Sequence, residues 1–374
     1  MPDHHWNTMN RRKFARTMTG AALGWVAATT ASPLGAAADK AATAGSPGQR
    51  PLKLGLDNFA VRAMGWKAPQ LIDYAASLKL DSLFISDLDA FESHDSAHLR
   101  DLRRMARDRG LELYLGTWSI CPTSRAFRDK WGTAEEHLAL GIRMAADLGS
   151  PVIRVVLGTR EDRRTPGGIE ARIEDTVKVC RACRSRALDA GVRIAVENHA
   201  GDMQARELVQ LVEAAGTDYV GVNLDSGNAA WTLEDPLASL EILGPYVACT
   251  SLRDSMIWET ERGARVAWTA MGEGLVDWKT YFAKFASFCP EVPVHIETIS
   301  GFSVEFPYME EEFWDAWPKA LAADFVKFLR LARRGHPIEA VRPQGREARQ
   351  RYQREELERS LAYCRSLGLG RRQA

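Results

Sequence analysis

From residue 51 onward the chain repeats one alternation: a short run with apolar residues at every second position, then a longer stretch with apolar residues three and four apart. The first period belongs to strands and the second to helices. Strands are predicted at 52–57, 82–87, 111–117, 152–157, 192–197, 220–225, 247–253 and 294–298. Helices are predicted at 68–78, 94–109, 134–148, 168–190, 205–215, 236–243 and 278–288, with an eighth at about 310–333. Eight successive strand–helix units predict an α/β chain folded as a (β/α)8 barrel. A doubly wound open sheet is the main competitor, but no glycine-rich phosphate turn follows the first strand.

The stretch 192–228 shows where chemistry belongs in such a fold. Ile194 and Val196 alternate with Arg193, Ala195 and Glu197, and Val220, Val222 and Leu224 alternate with Gly221, Asn223 and Asp225. A carboxylate closes the polar side of each strand, and residues at the C-terminal strand ends of a parallel barrel project into a common mouth. Glu197 and Asp225 are therefore site candidates. The plainer reading is that each caps the loop or helix after its strand. The pattern recurs, with Arg154 on the fourth strand, Ser251 and Arg253 on the seventh, and His295 and Glu297 on the eighth. Buried polar groups need partners, so Glu197, Asp225 and Glu297 beside arginines suit a site completed by a cation and a polyhydroxyl ligand. A layer of salt bridges plugging the barrel is the structural alternative.

Composition narrows the classes. Of 374 residues 45% are hydrophobic, enough for one large barrel core. Lys plus Arg and Asp plus Glu both number 49, and this balance argues against a nucleic-acid partner. The six cysteines are scattered, and the Cys180/Cys183 pair sits alone in a helical pattern, which fits neither a disulfide framework nor a zinc site.

The first residues are an address. Asn10-Arg11-Arg12-Lys13-Phe14-Ala15-Arg16 precedes a mildly apolar run at 18–30, and Ala36-Ala37-Ala38 supplies small residues for cleavage before Asp39. This resembles a twin-arginine export signal. The resemblance implies the twin-arginine machinery as a partner and a periplasmic destination, and export of an already folded chain suits a protein that carries a cofactor. The organisation expected is a signal at 1–38, a flexible linker at 39–50, the barrel at 51–336 and a charged helical extension at 337–374. That extension either covers the barrel or reaches a neighbouring subunit, which leaves a homo-oligomer open.

Over about 52–330 the chain resembles the sugar phosphate isomerase/epimerase family, the xylose isomerase-like barrels. The matching residues are Val196-Glu197-Asn198-His199, Leu224-Asp225-Ser226-Gly227-Asn228, Leu252-Arg253-Asp254, Gly272-Glu273-Gly274 leading to Val276-Asp277-Trp278, and His295-Ile296-Glu297. The resemblance implies one divalent metal held by Glu197, Asp225 and Glu297. The family's fourth ligand, a histidine, is Ser251 here. An oxygen-rich set favours Mg²⁺ or Mn²⁺ over Zn²⁺.

The resemblance further implies proton transfer beside the carbonyl of a sugar or keto-sugar, with Glu197 and Glu297 as the two bases on opposite faces. Arg154, His199, Trp231, Arg253 and His295 are the residues expected to bind the sugar, and Trp118, Trp258 and Trp268 also fall in loops on the same face. An isomerase or epimerase is the first expectation. A metal-dependent lyase or dehydratase on a keto-sugar or keto-glycoside needs nearly the same site. A sugar-binding barrel without catalysis is the alternative from another class, and Ser251 is its best support.

Overall fold

The computed structural model describes residues 51–299 and 301–370. The expected export signal and linker lie outside the described residues. The strands are, in chain order, β1 (Leu54–Asp57), β2 (Ser82–Ile85), β3 (Glu112–Ser119), β4 (Val152–Val156), β5 (Arg193–Glu197), β6 (Val220–Leu224), β7 (Val247–Thr250), β8 (Asp254–Thr260), β9 (Gly263–Thr269), β10 (Val294–Ile296) and β11 (Ser303–Phe306). Eight of them form a parallel sheet in the order β10-β1-β2-β3-β4-β5-β6-β7. Just beyond β7, Leu252 bridges Ile296 of β10 in parallel and brings the two ends of the sheet together. The predicted (β/α)8 barrel is what forms.

These strands are short and buried on both faces, as a parallel barrel requires. Their outward apolar residues join the helices in one core, to which Leu54, Leu83, Ile153, Ile194, Val222 and Ile296 all belong. Inside the barrel a separate cluster of Phe84, Tyr114, Val152, Ala195, Ala248 and Cys249 fills the lower layers. All six cysteines are buried free thiols. No helix among the described residues is long and apolar enough to cross a membrane.

Three segments differ from the sequence expectation. The strand predicted at 247–253 ends at Thr250. Where a long loop was expected after it, β8 and β9 form a hairpin, joined by β11 in an antiparallel sheet of order β11-β9-β8. Ile257, Ala264 and Val266 bury one face of this hairpin and Met256, Trp258 and Ala267 the other. With both faces apolar, no alternation of polar residues marks the strands. Trp258 is thereby placed in hairpin packing. The helical run at 168–190 breaks at Cys183 into Gly168–Ala182 and Arg184–Ala190.

The third difference concerns the eighth outer helix. The stretch expected to supply it holds a 3₁₀ segment, Glu311–Ala316, and the helix Ala322–Ala332, whose Phe328 and Leu331 pack on the hairpin. The helix Arg346–Ser366 lies instead against the barrel wall, with Leu357, Leu361 and Cys364 in the main core. Tyr74 Oη donates to Glu358 at 3.1 Å and Arg365 donates to the Leu78 carbonyl at 2.5 Å, tying it to the first outer helix, Ala68–Ser77. Gly370 N then donates to Leu52 O at 2.8 Å, beside the start of β1. Within the helix only three apolar residues are fully buried, spaced four and three apart, so the charged sequence around them reads as an appendage.

Candidate active site

A cavity of about 380 Å³ opens where the barrel strands end. Glu197, Glu297, Arg154, Arg253, His199 and Asn228 belong to its polar lining, together with charged groups such as Asp87 and Arg128, and Trp118, Trp131, Trp268 and Phe302 are among its aromatic walls. Each polar group has an identifiable support. Arg154 fits inside the barrel because its neighbours in register are Gly116 on β3 and Ala195 on β5, and its guanidinium lies 5.7 Å over the Phe84 ring. From there Nε reaches Glu197 Oε2 at 2.8 Å and Nη1 donates to the Thr117 carbonyl at 2.7 Å. Asn223 Nδ2 donates to the same Glu197 oxygen at 2.9 Å, and Asn228 Nδ2 donates to Oε1 at 3.2 Å.

Arg253 holds the other two carboxylates. Its Nη2 donates to Glu297 Oε2 at 2.5 Å and to Asp225 Oδ2. Asp225 also serves the role of the plainer reading, since its Oδ1 accepts from Asn228 N at 2.9 Å and caps the short helix Ser226–Ala230. Burial pushes both Glu197 and Glu297 above the ordinary carboxylate range; Arg154 foremost for Glu197, and Arg253 for Glu297, pull in the opposite direction. A carboxyl with a raised pKa can accept and return protons nearer neutral pH.

His199 Nδ1 lies 2.7 Å from the Gly158 carbonyl, which can only accept, so Nδ1 carries the proton and Nε2 keeps its lone pair. Burial lowers its pKa to about 3 and keeps the ring neutral. The Trp118 ring meets it edge-on at 5.2 Å.

Of the residues expected to bind a sugar, Arg154, His199 and Arg253 line this cavity and two do not. His295 sits below it, fully buried, with Nε2 3.0 Å from Ser82 Oγ and its ring against Tyr114 and Phe84. It points inward as Glu297 does, but two residues earlier on the strand and thus one layer deeper. Trp231 stacks behind Trp268, centroids 4.2 Å apart, so Trp268 faces the cavity and Trp231 backs it.

The four positions expected to hold a metal divide in the same way. Glu197 and Glu297 face the cavity, whereas Asp225 lies behind Arg253 and Asn228, fully buried. Ser251 Oγ is committed to Asp57 Oδ2 at 3.1 Å and receives Asn223 Nδ2 at 3.3 Å. Where a divalent ion needs converging lone pairs, the chain presents N–H donors from Arg253 and Asn228. Among the described residues no three Asp, Glu, His or Cys side chains converge on a common metal position. The donor set as placed does not fit the ion.

Asp57 escaped the sequence reading. It ends β1, accepts from Ser86 Oγ and Phe59 N at 2.9 Å each, and is pushed up to about 7 by burial and by the Glu297 charge against the pull of Arg154. A carboxylate closing a strand was the available signal, the same one that marked Glu197. Asn228 stood in a matched motif, but its bridging of Glu197 and Asp225 depends on the helix turn that Asp225 caps. Trp131 belongs to a 3₁₀ turn after β3 that no periodicity marks.

Asp254, in the matched Leu-Arg-Asp motif, is structural. Its two oxygens accept from the backbone N–H groups of Ser255, Gly272, Gly274 and Val276 and from Trp278 Nε1, which ties the Gly-Glu-Gly loop to the start of β8. A Cβ at Gly274 would meet Asp254 Oδ1 at 2.2 Å, so this glycine allows the close approach.

The fold agrees with the comparisons with known proteins. Residues 60–302 match the family described as the xylose isomerase-like TIM barrel, and the chain belongs to it. A curated relative, 3-oxo-isoapionate decarboxylase of Pectobacterium atrosepticum, is 24% identical over 196 residues, which are 52% of this chain and 64% of that protein. A D-psicose 3-epimerase crystal structure in the presence of D-fructose superposes with a TM-score of 0.56 at 16% identity, over 84% of this chain and 99% of that one. The IOLI protein with a bound zinc atom gives 0.52 at 15% identity, over 75% of this chain and 96% of that one. These two structural likenesses establish the fold.

Proposed function

We propose that this barrel is an enzyme that moves a proton beside the carbonyl of a sugar or keto-sugar, as an isomerase or epimerase does. The observation that carries the reading is the pair Glu197 and Glu297: two carboxyls with raised pKa values on separate strands of one cavity, each held by its own guanidinium. Removing a proton beside a carbonyl leaves charge on oxygen, and fixed positive groups in a water-poor cavity stabilise that charge without reorganising. The arginines supply those groups, the two glutamates supply an acceptor and a donor, and Trp118, Trp131 and Trp268 supply flat apolar walls suited to a sugar ring.

A lyase acting on a keto-sugar is the second reading. The curated relative is by name a decarboxylase, and bond cleavage beside a carbonyl develops charge on the same oxygen. The zinc in the IOLI structure and the family resemblance are the support for a divalent metal. The side chains as placed do not fit one, and no step here runs through it. Export through the twin-arginine machinery is part of the proposal, resting on Arg11 and Arg12. Cell fractionation of the Arg11→Lys, Arg12→Lys double variant tests it, with retention in the cytoplasm expected.

The deciding experiment incubates the protein with ketoses and keto-glycosides in D₂O and follows the C–H beside the carbonyl by NMR. Deuterium should enter that position, and Glu197→Gln or Glu297→Gln should block inversion while exchange survives on the face that keeps its base. A new unsaturated product would favour the lyase. Tight sugar binding with neither exchange nor product would replace both readings with a non-catalytic sugar-binding barrel.

A further inference from the structure

We propose that Arg253 is the resident cation of this site: its guanidinium takes the position that a divalent ion would need between Asp225 and Glu297, and the chain is built to keep it there. Four features on three different elements converge on that side chain.

The first is its pairing. Nη2 lies between Asp225 Oδ2 and Glu297 Oε2, and the arginine and aspartate side chains are 2% and 0% exposed. A guanidinium is permanently charged and planar, so it donates to two buried carboxylates at once while its single charge offsets one of theirs. The second is the space made for its stem. A Cβ on Gly227 would lie 2.4 Å from Arg253 Cγ and 2.7 Å from Cδ. The third is a lid. The Trp268 ring lies 4.4 Å from the guanidinium carbon, its Nε1 donates to the Gly227 carbonyl at 3.0 Å, and Trp231 stacks behind it. The fourth is a backbone clamp, in which Ser226 Oγ donates to Arg253 O at 2.6 Å and accepts from Arg253 N at 3.1 Å.

The neighbouring groups are consistent with an organic cation. Ser251 Oγ donates to Asp57 and accepts from Asn223, and Asn228 is held through Nδ2 by Glu197 and Asp225, while its buried Oδ1 is left without a partner. An ion entering here must first expel the guanidinium, leaving a buried arginine without its carboxylates, which opposes binding.

The test does not depend on turnover. Full-length protein purified from medium supplemented with Mn²⁺, Mg²⁺ and Zn²⁺, without chelator, is assayed for metal content and for thermal unfolding with and without each ion. Well under one ion per chain, and no rise in Tm, is expected. Arg253→Met keeps the stem against Gly227 and Trp268 but removes the charge; it should unfold at a lower temperature and be restored by a divalent ion, with an apparent affinity at least roughly tenfold above that of the wild type. About one ion per wild-type chain, with a Tm that falls on chelation, overturns the proposal. So does a folded Arg253→Met that no ion stabilises. Should that variant not fold, the wild-type metal content and Tm decide alone. Because neither readout requires substrate, failure here leaves the proton-transfer reading standing, and failure of that reading leaves this one standing.

Discussion

Gly227 lies directly beneath the stem of Arg253, and a β-carbon there would come within 2.4 Å of Cγ. Alanine in this short helix would gain up to about 1 kcal/mol of helix propensity over glycine. Overpacking a buried stem costs about 1–3 kcal/mol, and displacing Arg253 weakens two buried ion pairs besides. Gly227→Ala should therefore destabilise by roughly 1–3 kcal/mol net, read from the midpoint of urea unfolding. A stabilised variant would show that the arginine is free to move aside.

Asp254 is predicted to matter for folding more than for chemistry. Replacing it with alanine strips acceptors from four backbone N–H groups and the Trp278 indole at once. With each unsatisfied buried donor costing about 1–3 kcal/mol, the loss should exceed roughly 4 kcal/mol. Circular dichroism during thermal unfolding checks this. A soluble variant with a near-wild-type Tm would contradict the assignment.

Glu234 gives a pH dependence with a definite sign. It accepts from Ala205 N at 2.9 Å and from Thr232 Oγ1 at 3.0 Å, and burial raises its pKa from 4.5 to about 7. The folded state then holds a proton that the unfolded state releases, so this residue's contribution is full below about 4.5 and is lost as pH rises to about 7. Glu234→Gln, which cannot ionise, should gain on the wild type across that window by up to roughly 3 kcal/mol. Parallel melting curves at several pH values measure the difference, and a constant gap would refute it.

The C-terminal helix should behave as part of the barrel. Leu361 is fully buried in the main core, so Leu361→Ala should cost about 2–5 kcal/mol, as interior leucines do. Chemical denaturation of the purified variant gives the figure. A loss below about 0.5 kcal/mol would mean that the helix is a detachable appendage.

The barrel was readable from sequence because its strands obey a simple rule, apolar outward and polar or small inward, as Ile194, Val196 and Glu197 display. The two glutamates of the mouth followed from the same rule. What escaped depended on which layer a side chain occupies: His295 and Glu297 share a strand face, yet only Glu297 reaches the cavity, because a period of two specifies direction and not depth. The hairpin of β8 and β9 was hidden because burial of both its faces erased the alternation. The role of Arg253 was hidden for another reason. Its seat depends on Gly227, Trp268 and Ser226, which lie on other elements and come together only in the folded chain.

The seam of the barrel joins positions far apart in synthesis. Residues 54–56 pair with 294–296, and Leu52 accepts from Gly370. The first strand to leave the ribosome thus waits for nearly the whole chain before its edge is covered. An exposed strand edge held open that long invites pairing with another molecule, and distant contacts of this kind form slowly. The short length of β1, four residues, limits how much edge is offered during the wait. A chain released before residue 346 would keep Glu197, Glu297 and the pairing of 54–56 with 294–296 and still lack Leu357, Leu361 and Cys364 of the main core, so its fate would be set by that uncovered apolar surface, through aggregation and proteolysis, rather than by the state of its cavity.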